Sequence, residues 1–348
     1  MSRQFGALSG LAAVFIVVNH SIFFGTVYPE AWGYPSIEGW GRTILSILQS
    51  FGWFAVPIFL FISGSFVSYA AQGDPPRLSS KFMVATLKHI IIPYVIWSVV
   101  FYVLVYFYNQ ETYSLLGYVK QLLVGYPYHF VPLLVFYYIL SPILLRIGRS
   151  YGVILLIGIA LYQLALINIL YPGTLGLTFP TWFHYLSPPI IRTTLAEWAI
   201  FFPLGLVYGL HQKKVVPWSK KFSLWITIVT VVFFVLGLLD TLKVITFPMA
   251  RHLAPVTFMF LIPAIKRDSI PLARQLERVG RRTYGIYLTN LIILNLVLIG
   301  IRFYIPYLFN VYILLFPFLF VLTLFIPLLI MNAFTKGHFK PAYRYVFG

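Results

Sequence analysis

The sequence predicts an all-α membrane protein: a polytopic helix bundle of about ten transmembrane helices with both termini cytoplasmic. Three observations predict it. The composition is too apolar for a water-facing surface, the apolar residues fall into a series of runs of spanning length, and Lys and Arg alternate sides between those runs. Of 348 residues, 60% are apolar and only 9% charged, with a mean hydropathy of +0.88. A soluble domain is about one quarter charged. So few charges cannot cover a chain of this size in water, and lipid must solvate most of it.

The runs place helices over 5–25, 44–72, 83–108, 130–147, 152–171, 194–211, 222–240, 246–265, 283–302 and 310–334. Each approaches the roughly 20 residues that cross a hydrocarbon core. The first begins within a few residues of Met1 and has no small-residue cleavage site, so it reads as a retained helix. The second is long and the fourth short. No internal repeat and no polar linker divides the chain, which predicts a single membrane domain over 1–348.

The basic residues orient the bundle. With the N-terminus inside, 19 of the 25 Lys and Arg fall in inside segments and six outside. The densest inside segment holds Lys266, Arg267, Arg274, Arg278, Arg281 and Arg282. This asymmetry is the positive-inside pattern. It accounts for the net charge of +17 without nucleic acid as a partner. Aromatic residues make up 19% of the chain, and groups such as Tyr102, Tyr106, Phe107 and Tyr108 near span ends read as interface belts.

The chain has no cysteine, which excludes thiolate metal sites, disulfides and a Cys nucleophile. It has no P-loop, HExxH or GxSxG motif, and no spacing that predicts a metal site. What remains are polar groups at membrane depth, which are costly and point to function. His20, flanked by Asn19 and Ser21, lies in the first run, about 22 Å along its helix. Taken alone it reads as an interfacial histidine bonded to a neighbour, ahead of a catalytic one. His129 precedes the fourth run. Arg192 and Glu197 lie at the start of the sixth, Asp240 ends the seventh, and Arg251 and His252 lie in the eighth. Singly these are snorkelling or interface residues; together they place polar groups at the outer ends of several helices and predict an outward-facing hydrophilic cavity. Asn168, Asn290 and Asn295 are candidates for interhelical hydrogen bonds.

Several segments, in order over about 280 residues, carry a resemblance. They are Leu8-Ser9-Gly10-Leu11-Ala12-Ala13 leading to Asn19-His20-Ser21, then Ala55-Val56-Pro57-Ile58-Phe59 followed by Ile62-Ser63-Gly64. Next come Ile92-Pro93-Tyr94 and Tyr128-His129-Phe130 with Leu140-Ser141-Pro142, and last Thr283-Tyr284-Gly285-Ile286-Tyr287-Leu288. The set resembles the acyltransferase-3 family of membrane-bound acyltransferases, in particular its members that modify surface polysaccharides and the cell envelope. The resemblance implies a multi-pass protein of a bacterial plasma membrane. Its implied reaction moves an acyl group, commonly acetyl, from cytoplasmic acyl-CoA to a hydroxyl of a carbohydrate or lipid-linked acceptor. It implies no tightly bound cofactor and no metal; acetyl-CoA or another acyl-CoA is a substrate.

Within the resemblance, the first-helix histidine is the essential residue, which is His20 here. A hydroxyl needs a base in the transition state, and neutral imidazole suits that role. Arg77, Lys81 and Lys88 are the candidates for the donor's phosphates, and His129, Arg192, Arg251 and Glu197 for the acceptor side or the oxyanion. The sequence departs from the family at three places. Ser9 stands where the family usually has an Arg eleven residues before the histidine. Only Lys88 and His89 approach the site of the arginines before the third-span proline. Asn290 stands where the fourth segment commonly ends in His. Two other readings stay open: a non-catalytic relative on the same fold that assists polysaccharide export, and a secondary transporter. The loss of the Arg favours the former. A paired pattern of interrupted helices would favour the latter, and the sequence shows none.

Overall fold

A computed structural model of the chain describes residues 3–71, 73 and 76–348. It is all-helical among those residues. The helices are α1 (Arg3–Ala31), α2 (Gly39–Ser50), α3 (Ala55–Ala70), α4 (Ser80–Asn109), α5 (Leu115–Val124) and α6 (Phe130–Leu170). Then follow α7 (Arg192–Trp198), α8 (Phe201–Leu210), α9 (Gln212–Lys221), α10 (Ser223–Thr241) and α11 (Ala250–Leu261). The chain closes with α12 (Ala273–Gly280), α13 (Thr283–Tyr304), α14 (Tyr312–Phe334) and α15 (Tyr343–Phe347).

Among the described residues, seven helical stretches are long and apolar enough to span a membrane, or eight if α7 and α8 form one span bent by 50°. The difference from about ten spans has a physical origin in two places. First, α6 runs for 41 residues, about 60 Å at 1.5 Å per residue and twice a hydrocarbon core. Its backbone leaves the helical region at Tyr151 (φ −129°, ψ 35°), between the runs 130–147 and 152–171. One helical stretch therefore holds two predicted spans. Second, the run 246–265 contains only the 12 residues of α11 and a short turn, Ile262–Ala264, too short to count by length alone.

The chain divides into two compact units. The first comprises residues 56–88 and 113–270, the second residues 3–55, 89–112 and 271–348. In the first unit, α3 and α8 cross at backbone contact. A Cβ on Gly64 would collide with the Phe202 carbonyl, and one on Gly205 with the Phe61 carbonyl. Small residues allow such approach where lipid supplies no hydrophobic drive between helices. The Ser65 hydroxyl ties the crossing by donating to the Gly205 carbonyl at 3.1 Å. Against the same helix lies the first half of α6, with the Tyr137 and Phe202 rings stacked at 5.0 Å.

In the second unit, α1 packs against α12, α13 and α14. Its mid-level core is Ile22, Leu294, Leu298, Leu315 and Leu319. An aromatic ladder, Phe24, Tyr28, Trp32 and Phe309, continues toward the C-terminal end of α1. There the Arg302 guanidinium lies over the Trp32 ring at 4.7 Å. At the opposite end α12 rests on the first turns of α1. The segment Gly6-Ala7-Leu8-Ser9-Gly10 is a GxxxG pattern, and a Cβ on Gly10 or Gly280 would strike the backbone carbonyl of Leu276 or Gly6 respectively. The last helix is held at this end too. Trp97 Nε1 donates to the Val346 carbonyl at 2.7 Å, and Phe347 is buried against Trp97 and Phe334. Eight of the unit's ten Lys and Arg gather here, leaving Arg42 and Arg302 at the other end.

Candidate active site

His20 sits on an unbroken stretch of α1, since the only proline of that helix is Pro29. Its partner is on α13. Thr283, the first residue of α13, donates its hydroxyl to the Ser9 carbonyl at 3.3 Å, which fixes the register of the two helices at their starts. Eleven residues on from Ser9 lies His20, about 16 Å up the helix; seven on from Thr283 lies Asn290, about 10 Å up. The imidazole leans back toward the N-terminus of its helix, as helical side chains do. It meets the amide there: His20 Nδ1 and Asn290 Oδ1 are 2.8 Å apart.

This contact sets the chemistry of the ring. An amide oxygen only accepts, so Nδ1 carries the proton and donates, and Nε2 keeps its lone pair. Asn290 is itself fully buried, and among the described residues its Nδ2 has no hydrogen-bond partner. The site therefore holds one basic nitrogen and one unused amide donor side by side. A buried donor left unpaired costs about 1–3 kcal/mol. The Phe24 ring lies edge-on to the imidazole at 6.1 Å and supplies an apolar wall. Asn19 turns away, donating to the Gln49 carbonyl at 3.3 Å, and lies so close to Gly52 that no side chain fits there.

Ser9 is buried at the foot of the same helix. Its side chain supplies no positive charge, and the space around it is taken by the close α1–α12 crossing. Asn290 is an interhelical contact as expected. Asn295 is not, because its amide donates to Leu291 of its own helix at 2.8 Å. Asn168 is not either: its amide holds the loop after α6 through Leu177 and Leu175. A polar side chain within an apolar run satisfies whichever backbone group is nearest, and the sequence cannot tell helix from loop as the partner.

The first unit holds a second polar group. Glu197 Oε2 lies 3.5 Å from His252 Nδ1, and Arg251 Nε lies 3.4 Å from His252 Nε2. His252 is buried, while the Glu197 side chain retains 27% exposure. The cluster stands at the break between α7 and α8. Gln163 on α6 staples that break: its Nε2 donates to the Ala196 and Glu197 carbonyls at 3.0 and 3.1 Å, and its Oε1 accepts from the Ile200 amide at 2.9 Å. Tyr137 adds a bond from its hydroxyl to the Ala199 carbonyl at 2.6 Å. Sequence reasoning missed Gln163. The signal was an amide near the middle of the apolar run 152–171, which also holds Asn168.

Other candidates stand apart from these groups. His129 occupies the N-cap position of α6 and is exposed, with Tyr126 beside it. Arg192 opens α7 and is exposed. Arg77 precedes α4, and Lys81 and Lys88 lie seven residues apart on its first turns, all three exposed. The structure thus brings Glu197 and Arg251 together and leaves the other five dispersed.

A family profile described as an acyltransferase domain, that of the acyltransferase-3 family, matches residues 5–332 of the chain. No curated protein and no solved structure matches it.

Proposed function

Because the chain belongs to the acyltransferase-3 family of membrane acyltransferases, we propose that it transfers an acyl group, acetyl in the simplest case, from cytoplasmic acyl-CoA to a hydroxyl of a cell-envelope carbohydrate or glycolipid. The observation that carries this reading is the His20–Asn290 pair, which leaves a basic Nε2 at membrane depth. In the proposed step, Nε2 takes the proton of the acceptor hydroxyl as its oxygen forms a bond to the thioester carbonyl carbon. The carbonyl oxygen becomes an oxyanion, which a fixed donor must stabilise. Collapse breaks the C–S bond, and the imidazolium returns its proton to the departing thiolate, giving the acyl ester and free CoA. Asn290 thereby replaces a carboxylate as the group that orients the base, as an amide can.

On residue chemistry, the acceptor contacts are assigned to Glu197, Arg251, Arg192 and His129, and the donor phosphates to Arg77, Lys81 and Lys88. Replacing those three basic residues together by Gln should raise the KM for acyl-CoA several-fold with kcat retained. An unchanged KM in protein that still inserts would remove them from the donor site.

The test of the reaction is transfer of labelled acetyl from acetyl-CoA by the purified protein, wild type against His20→Ala. Loss of a general base costs about 10²–10⁴-fold in rate. His20→Ala should therefore lose transfer while keeping its wild-type melting temperature. A variant that retained more than about a tenth of wild-type turnover would reject His20 as the base and favour the non-catalytic reading.

A further inference from the structure

The arginines at the turn from α12 to α13 are more than a topology signal. Arg278, Arg281 and Arg282 line one cavity of about 400 Å³ together with Phe325, Leu329 and Asn332 of α14. Arg278 lies in the last turn of α12, Arg281 caps that helix and Arg282 precedes α13, so the turn between the two helices brings the three to one cavity, and residues 325, 329 and 332 form one stripe of α14. Among the described residues, no carboxylate pairs with any of the three guanidiniums. The nearby phenol of Tyr343 is raised above the ordinary tyrosine range by burial, against the pull of Arg282, so it stays neutral and offers no counter-charge. The close backbone crossing at Gly6, Gly10 and Gly280 holds the end of α12 in place. Three like charges around one concavity repel unless an anion joins them.

The wall opposite the arginines says what kind of anion. Phe325 and Leu329 are 52% and 64% exposed on a spanning helix, so they face hydrocarbon. Asn332 stands one turn further along, at the level of the arginines, and adds an amide. A ligand that fits has a phosphate at the arginines and an aliphatic chain running along α14 from the head group toward the bilayer core. Positive charge that served only insertion needs neither convergence nor an apolar wall. Guanidinium forks are the side chains best matched to phosphate oxygens. We propose that Arg278, Arg281, Arg282 and Asn332 form a binding site for the phosphate of an acylated amphiphile, with the head group of an anionic bilayer phospholipid as occupant. The phosphates of an acyl-CoA share this chemistry and are the second possible source. The site is distinct from the His20–Asn290 pair and stands whether or not that pair is catalytic.

The test uses the full-length protein in detergent and native mass spectrometry, with phosphatidylglycerol and phosphatidylcholine as probes. The wild type should retain phosphatidylglycerol in preference to phosphatidylcholine. The triple variant Arg278→Gln, Arg281→Gln, Arg282→Gln should bind phosphatidylglycerol at least about tenfold more weakly, since it loses the converging guanidinium–phosphate hydrogen bonds. The control variant Lys213→Gln, Lys220→Gln, Lys221→Gln removes the same charge from α9 and should leave retention unchanged. The single variant Arg281→Gln, at an exposed position, gives a measurable partial loss if the triple variant does not fold. Added CoA distinguishes the sources: displacement of phosphatidylglycerol identifies a site that also takes the donor's phosphates, and no displacement identifies a lipid site. Equal retention in the wild type and the arginine variants, or equal loss in the α9 control, overturns the proposal.

Discussion

The two polar groups of this protein lie at membrane depth in different units and are built in opposite ways. His20 and Asn290 stand on continuous helices whose backbone bonds are intact, and the pair leaves a lone pair and an amide donor unused. Glu197, His252 and Arg251 stand at a broken helix, and their charges and ring nitrogens are largely spent on one another. Around them Gln163 and Tyr137 satisfy the freed backbone groups. The first arrangement withholds bonding capacity from the fold. The second spends that capacity on holding a bend. Buried polar residues therefore divide by what they leave unpaired, not by how polar they are.

The comparison breaks if the wrong group controls stability. The largest expected loss of stability is at the staple. Gln163→Leu keeps the shape but strands two carbonyls and one amide, and should cost about 2–3 kcal/mol, read as a lower melting temperature in detergent. A variant that melts like the wild type would show that the bend does not depend on Gln163. Next is Glu197→Ala, which leaves His252 and Arg251 with one partner fewer. With the Glu197 side chain 27% exposed, water can replace part of the loss, and about 1–2 kcal/mol is expected. That variant should change stability and acceptor KM while kcat stays near wild type. A drop in kcat of two orders with an unchanged KM would move Glu197 into the chemistry. The smallest effect on stability belongs to Asn290→Ala, below about 1 kcal/mol because a membrane hydrogen bond averages about 0.6 kcal/mol.

Much of the fold was legible because lipid imposes simple rules. Runs of about 20 apolar residues must be helical, and the ordered motifs named the family. Span counting was less sharp where the chain does not keep to one helix per crossing. The predicted spans 130–147 and 152–171 follow one another in α6 across a kink at Tyr151, inside the gap the sequence leaves between them. Of the site, His20 was legible as a polar residue in an apolar helix. Asn290 was legible as a candidate for an interhelical bond and as a departure from the family's usual residue, but its pairing with His20 was not, because 270 positions separate them. The arginines at the turn from α12 to α13 were read for their charge alone; the stripe of α14 that completes their cavity lies across a packed helix, and their sequence spacing carries no trace of it. Gln163 escaped notice because an amide that repairs a bend matters only once the bend is known.

The central claim is that Asn290 acts through His20, holding the imidazole with Nε2 free as the base. The direct test is a double-mutant cycle on kcat for acyl transfer, using His20→Ala, Asn290→Ala and the pair. His20→Ala alone should cost at least about 10²-fold, and Asn290→Ala about tenfold through misorientation of the base. In the His20→Ala background, removing Asn290 should cost little more, because residues that act as a unit are not additive. A full tenfold loss from Asn290→Ala in both backgrounds would show that the two residues work independently, and would contradict the account.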